Sequence, residues 1–233
     1  MALERSMLRD PHWDSCVWAM QYGAADSIGT DKSPAAATFT AGADAALSTG
    51  QTKFAAQSII FDGTGDKVTD GTAAATWASR ANNDHTFQAW VYHDVAVANE
   101  TYFETSVETS AANYVLLERS VTTGYLNIAL SGGAISGSTA IPATTWTHVA
   151  YTRRGNGFFL FVDGVLGNSG TVAETIGTSV NHGVLGYNEY SSGAGFAGYI
   201  GEAYFHTKAL WTSNFTLPTR ARPLRKHVSG VRS

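Results

Sequence analysis

Residues 146–152 and 158–162 are two strongly β-forming runs, WTHVAYT and FFLFV, on either side of Arg153-Arg154-Gly155-Asn156-Gly157. The glycines and the asparagine suit the positive φ angles of a tight reversal, so the pattern predicts a hairpin. The second run is apolar at both parities, with Phe158, Leu160 and Val162 on one face and Phe159 and Phe161 on the other. A strand apolar on both faces is covered on both, which predicts a central place in a layered β-structure. Asp163-Gly164 then turns the chain into another short strand beginning at Val165.

The two-faced pattern recurs in residues 86–93 (TFQAWVYH), a further predicted strand preceded by a polar loop over 80–84. Runs at 101–107, 114–119 and 125–130 follow at the regular spacing of an antiparallel sheet. Residues 13–22 predict a first strand, 38–40 an edge strand and 58–61 a short buried strand ending in a glycine-rich turn. Later strands are predicted at 184–187 and 196–206, and a closing helical turn at 209–212. Residues 131–141 are Gly/Ser-rich and read as turn. With no internal repeat and no amphipathic helix of useful length, the expected class is all-β: an antiparallel β-sandwich of jelly-roll type.

Composition fits that class. The chain has 233 residues, of which 44% are hydrophobic and 12% aromatic, enough for one β-domain with a sizeable core. Only 15% are charged, against about 25% in an average domain, which implies a lightly charged surface. The net charge of −4 is unevenly spread. Residues 220–233 carry Arg220, Arg222, Arg225, Lys226 and Arg232 and no acid, leaving 10 basic and 19 acidic residues in 1–219. A body of −9 argues against sequence-specific nucleic-acid binding, and a +5 tail could dock on an acidic partner, its own neighbour included. The alternative reading of the tail is a solvated terminus. The expected division is an arm over 1–12, a domain over 13–217 and a basic tail over 218–233.

Cys16 is the only cysteine, which excludes an intramolecular disulfide and a thiolate metal cluster; among Trp13, Val17 and Trp18 it reads as a small core residue. The opening residues contain no apolar core of a signal peptide, and no run approaches the roughly 18 apolar residues of a membrane span.

Taken in order, SIIFDGTGDKV, TFQAWVY, WTHVAYTR–GNG–FFLFVDGV and FAGYIGEAYFHTKAL resemble the laminin G-like, concanavalin A-like jelly-roll superfamily over nearly the whole chain. The opening DPHWDSCVWAMQY, with DKSP and STGQTKFAAQSIIFDGTGD downstream, is similar to a subset found in virion proteins of tailed bacteriophages. That resemblance implies a non-enzymatic structural subunit, in capsid decoration or a tail or fibre, assembled in the host cytoplasm. Its partners would be neighbouring virion proteins and further copies of itself in a homo-oligomer. The alternative is a lectin module that attaches to surface glycans.

Candidate chemistry follows from these two readings. Tyr187, Asn188, Tyr190 and Phe196 bracket a Ser/Gly loop and form the candidate carbohydrate site; Tyr102, Tyr114 and Tyr125 are further candidates for outward-facing rings. Each of these residues has an equally simple role in the core or an interface. No cofactor is expected other than a possible calcium ion, which relatives hold at the sandwich rim; the candidate ligands are Asp62, Asp66 and Asp163. The closing strand of many relatives reads Ile-Asp-Glu, whereas Ile200-Gly201-Glu202 stands here, one carboxylate short. Asp62 and Asp163 also precede glycines, as turn residues do. A glycan hydrolase is a remote third reading. Glu104 and Glu108, four apart on a predicted strand, would be separated by about 13 Å along it. A pair of catalytic carboxyl groups needs roughly 5–9.5 Å.

Overall fold

A computed structural model of the 233-residue chain describes residues 10–94, 100–106, 114–130, 132–172, 182–189 and 195–222. In chain order the strands are β1 (Cys16–Met20), β2 (Phe39–Gly42), β3 (Ala46–Ser48), β4 (Ser58–Asp62), β5 (Lys67–Asp70), β6 (His85–His93), β7 (Glu100–Ser106) and β8 (Val115–Arg119). They continue as β9 (Tyr125–Leu130), β10 (Gly133–Ala140), β11 (Thr147–Arg154), β12 (Gly157–Val162), β13 (Val165–Thr171), β14 (His182–Leu185) and β15 (Ala197–His206). One helix, α1 (Ala74–Asn82), separates β5 from β6.

All pairings among these strands are antiparallel, in two sheets. Sheet 1 runs β13-β12-β11-β6-β15-β4-β3, with β1 also paired to β15. Sheet 2 runs β10-β9-β8-β7-β14-β5-β2. The expected β-sandwich of jelly-roll type is the observed fold.

Period-2 alternation decides which side chains fill the space between the sheets. Phe87, Ala89 and Val91 of β6, Val149 and Tyr151 of β11, and Ile200, Ala203 and Phe205 of β15 point inward from sheet 1. Phe103, Val115, Leu117, Leu126, Ile128 and Leu185 meet them from sheet 2. Phe87 and Phe103 stack across the gap with ring centroids 4.4 Å apart.

The hairpin forms as expected, with Arg154 opposite Gly157 and Val149 opposite Val162. Its second strand is not central, however: β12 lies one place from the edge of sheet 1. Its outward Phe161 is covered by a stretch of chain that comes after β15, through Phe215 at 5.3 Å and Trp211 at 6.4 Å. This strap, residues 209–222, has no helical turn at 209–212; it runs irregularly over the outer face of sheet 1.

Three further expectations are corrected. Residues 13–22 open with a 3-10 turn, Trp13–Ser15, before β1 begins. The Gly/Ser-rich residues 131–141 contain β10, an edge strand held by β9 and by two links to β13: Ser138 Oγ donates to the Gly167 carbonyl and Asn168 Nδ2 to the Ser136 carbonyl. The segment containing Arg80 ends a helix instead of forming a loop. That helix is pinned by Asp70, whose buried carboxylate accepts the indole N–H groups of Trp18 (2.7 Å) and Trp77 (2.9 Å) and the backbone and hydroxyl of Thr72 (both 2.7 Å).

Candidate functional site

The candidate sugar loop is mostly interior. Phe196 is fully buried, its ring 5.1 Å from His93, 5.6 Å from Tyr102 and 5.8 Å from Phe61, so it has no face for a ligand. Asn188 is also buried, and Tyr187 is half-buried. Tyr190 lies outside the described residues. Phe196 faces inward because its backbone N–H bonds the Gly186 carbonyl at 2.8 Å, closing the loop onto the end of sheet 2. Of the other tyrosines, Tyr102 is buried and hydrogen-bonded to His93 Nε2 at 2.8 Å; Tyr114 and Tyr125 are half-buried.

Beside this loop, Glu104 Oε2 accepts the Glu189 N–H at 2.7 Å. Glu189 in turn bridges two strands of sheet 2, reaching Lys67 Nζ at 2.6 Å and His182 Nε2 at 2.8 Å. Glu104 is fully buried beneath that brace, and Glu108 lies outside the described residues.

The three candidate calcium ligands do not converge. Asp66 is buried and accepts the Asp44 N–H with one oxygen and the Asp62 N–H with the other, at 2.7 and 2.8 Å. Asp62 turns its carboxylate to the Thr64 N–H at 2.6 Å. Asp163 sits four strands away across sheet 1, roughly 19 Å at ordinary strand spacing. There it exchanges bonds with the His148 backbone in the left-handed conformation (φ 49°). Among the described residues no group of three or more His, Cys, Asp or Glu side chains is arranged to hold a metal ion.

The basic residues divide similarly. Arg222 is inside the strap's own contact with the sandwich: Nη2 donates to Gln88 Oε1 at 3.1 Å, Nη1 lies 3.4 Å from Asp10 Oδ2, and the guanidinium rests on Tyr204 and Trp211. Of the candidate assembly residues, Arg222 therefore has contacts within its own chain. Arg220 is exposed, and Arg225, Lys226 and Arg232 lie outside the described residues. Asp10 and His12 likewise pack on the sandwich, so residues 10–12 are part of the body and not of an arm.

The outer face of sheet 1 holds the arrangement that sequence reading missed. Tyr199 of β15 is in register with Tyr92 of β6, and the β6–β11 register places Trp146 opposite Tyr92 on the far side. The ring centroids of Tyr92 and Trp146 are 5.6 Å apart, and those of Tyr92 and Tyr199 are 6.1 Å apart. Ile60 and Ala46 continue the row across β4 and β3. All five side chains are half-buried or exposed. The next positions along the same face, Trp90, Gln88, His148 and Tyr204, are buried under the strap and residues 53–55. The alternation within TFQAWVYH, with Phe87 and Val91 facing one way and Trp90 and Tyr92 the other, is the sequence signal for part of this row.

A β-bulge separates the row from its neighbours. Ile200 pairs with Val91 and Ala203 with Ala89, so two residues of β15, Gly201 and Glu202, stand opposite Trp90 alone. A bulge re-aims side chains. Here it turns Glu202 outward, where Oε1 accepts the backbone N–H groups of Phe54 (3.0 Å) and Ala55. Burial pushes the Glu202 carboxyl above its usual range, opposed by those backbone donors and by Lys53. Lys53 Nζ lies 4.2 Å from the centroid of the Trp90 ring. A narrow crevice lies here, lined by Phe54, Gln88, Trp90, His148, Glu202 and Pro218 among others, with room for about one water molecule (about 10 Å³).

Comparison with known proteins agrees with this architecture. No curated protein sequence matches the chain. In structure it is similar to domain 4 of AbnA, an extracellular arabinanase of Geobacillus stearothermophilus solved with arabinotriose (TM-score 0.65, 19% identity, 84% of this chain and 94% of that one). It is also similar to botulinum neurotoxin type C, described as entering cells through two ganglioside molecules (0.62, 14%, 86% and 49%), so it spans about half of that chain. A third likeness is to the CBM40 module of a Ruminococcus gnavus sialidase bound to α2,3 sialyllactose (0.51, 15%, 57% and 80%). At these identities the likeness is one of fold. The family model for the concanavalin A-like lectin/glucanases superfamily matches residues 62–213, and the chain belongs to that superfamily.

Proposed function

We propose that this chain is a non-catalytic carbohydrate-binding domain whose contact surface is the Tyr199–Tyr92–Trp146 row. One observation carries the proposal. Three aromatic side chains, two from the paired strands β15 and β6 and one from the residue just before β11, stay accessible on a face whose other central positions are covered. Aromatic faces stack on the apolar faces of sugars, and loop amides beside them take the hydroxyls. The ring planes of the pairs are inclined by 53° and 74°, so a flat crystalline polysaccharide cannot lie on all three at once. A soluble, flexible chain or a glycan end can. The ligands named for the structural neighbours, arabinotriose, sialyllactose and gangliosides, are of that kind.

Calorimetry with arabinotriose, lactose, α2,3-sialyllactose and cellotriose, backed by a glycan array, tests the reading. Binding to at least one soluble glycan is expected, with a loss of tenfold or more in Trp146→Ala and Tyr92→Ala. A blank panel and array would overturn it.

The resemblance of the opening residues to bacteriophage virion proteins gives this activity a setting. On a particle, homo-oligomeric copies would hold several weak sugar sites together and attach the virion to a cell surface by avidity. Mass spectrometry of purified particles checks that placement.

A further inference from the structure

The aromatic row ends beside a cation. Tyr92 and Trp90 stand two residues apart on one face of β6, roughly 7 Å along the strand. The Trp146 indole lies near both. Its ring centroid is 5.6 Å from that of Tyr92, and a Cβ on Gly201 would stand 3.2 Å from its edge and 3.5 Å from Trp90 Cβ. Beyond Trp146 comes the Trp90 ring, and against that ring lies Lys53, its Nζ 4.2 Å from the Trp90 centroid and 5.5 Å from that of Phe54.

Lys53 is held in place without being neutralised. Lys32 pairs with Asp26 and Lys67 with Glu189. Among the described residues Lys53 has no such carboxylate, and none of its N–H groups meets an acceptor. The two rings steady the half-buried side chain by cation–π attraction and leave the three ammonium donors for another partner. The segment that carries it is fixed, because Phe54 and Ala55 give their backbone N–H groups to Glu202 Oε1. Those bonds also turn the neighbouring Glu202 carboxylate toward the backbone, where it is buried. The exposed Arg220 flanks the same crevice beside Phe54 and Trp90. An acidic body thus presents a positive corner where its accessible aromatic rings end.

We propose that the row binds an anionic glycan, with Lys53 receiving a carboxylate or sulfate on the sugar next to the one stacked at Trp146; this rests on the sugar-binding reading above. An ammonium is a compact charge with rotatable donors, so it takes either anion, whereas the planar fork of an arginine is matched to particular geometries. The anion sits at the surface against Lys53 and not in the crevice, which holds no more than about one water molecule. A neutral sugar leaves the ammonium to solvent, and a cationic one is repelled by it and by Arg220.

Three sugars with a common core test this by calorimetry: lactose, α2,3-sialyllactose, and lactose sulfated at the same galactose position. At low salt at least one acidic sugar should bind about tenfold more tightly than lactose. That advantage should fade between about 50 and 500 mM salt, as screening shortens the reach of the charge. Lys53→Gln should bring the acidic sugar to the lactose level and leave lactose itself unchanged, and Lys53→Arg should keep most of the advantage. The acidic sugar that gains identifies the group as carboxylate or sulfate. If lactose or any neutral glycan on an array binds as tightly as every acidic one, or if the advantage survives Lys53→Gln, the anionic reading is wrong. The aromatic row then stands as long as Trp146→Ala abolishes the binding that is seen. If the unaltered chain binds neither these sugars nor the array, both readings fall together.

Discussion

The indole of Trp146 lies across Gly201, with Cζ3 and Cη2 3.2 and 3.3 Å from where a Cβ on that residue would sit. The absence of a side chain at Gly201 is what lets the indole approach the sheet this closely. Gly201→Asp is expected to push the indole off the sheet by a few tenths of an ångström and to weaken sugar binding more than it weakens the fold. Tryptophan fluorescence and calorimetry on the same sample would show the shift and the loss; unchanged affinity would separate Gly201 from the site.

Asp70 gathers two indole N–H groups and Thr72 on one buried carboxylate, with Arg80 Nη1 at 3.4 Å. Removing it leaves those donors buried and unanswered. Asp70→Ala should destabilise the domain by about 3–5 kcal/mol, measured by urea denaturation. Detachment of α1 should appear as faster amide exchange over Ala74–Asn82 than elsewhere.

Arg222 holds the strap. Arg222→Ala removes the bond to Gln88, the pair with Asp10 and the packing on Tyr204 and Trp211. A loss of about 1–3 kcal/mol is expected, with hydrogen exchange rising over 209–222 first. Removal of residues 223–233 should leave the melting temperature within a degree or two. If assembly of a multimer depends on Arg225, Lys226 and Arg232, that deletion will abolish it while the domain stays folded.

Acid should destabilise the fold earlier than its carboxylates alone would dictate. Burial pushes His85 down to about 4 and His148 and His206 to about 3, against about 6.5 in an unfolded chain. Between about 6.5 and those values the unfolded state binds more protons than the folded one, so stability is fully present above 6.5 and falls as pH falls. Each histidine contributes a slope of up to about 1.4 kcal/mol per pH unit. Glu118 and Glu202, whose carboxyls burial raises, act in the opposite sense over a narrower range. Urea midpoints from pH 7.5 to 4.5 should decline steadily, and His148→Gln should flatten the slope by about a third. A flat profile would mean that these histidines are not neutral in the folded chain.

Much of the fold was written in local patterns. The hairpin, the two-faced β6 and the closing β15 announce themselves because alternation and turn residues act over a few positions. What failed is what distant residues decide. The 131–141 segment has the composition of a turn, and becomes β10 because β9 and the edge of β13 supply partners. Helix α1 has no side-chain N-cap to mark its start and is held by Asp70, outside its own span; its alanine-rich stretch was the available signal. Phe196 looked like a rim aromatic, yet its inward turn is set by a backbone bond to Gly186. The candidate site is the extreme case. Tyr92, Trp146 and Tyr199 are 107 positions apart from first to last, and only the registers of three strands bring them into one line.

The pair of Asp10 and Arg222 also fixes how the domain can be hung. Chain arriving at the one and departing at the other shares a single point of suspension, near Gln88 and His206 on sheet 1. The aromatic row lies four to six residues farther along β6, roughly 13–20 Å away. Residues 10 and 222 thus meet at one end of this face, and Tyr92 lies toward the other.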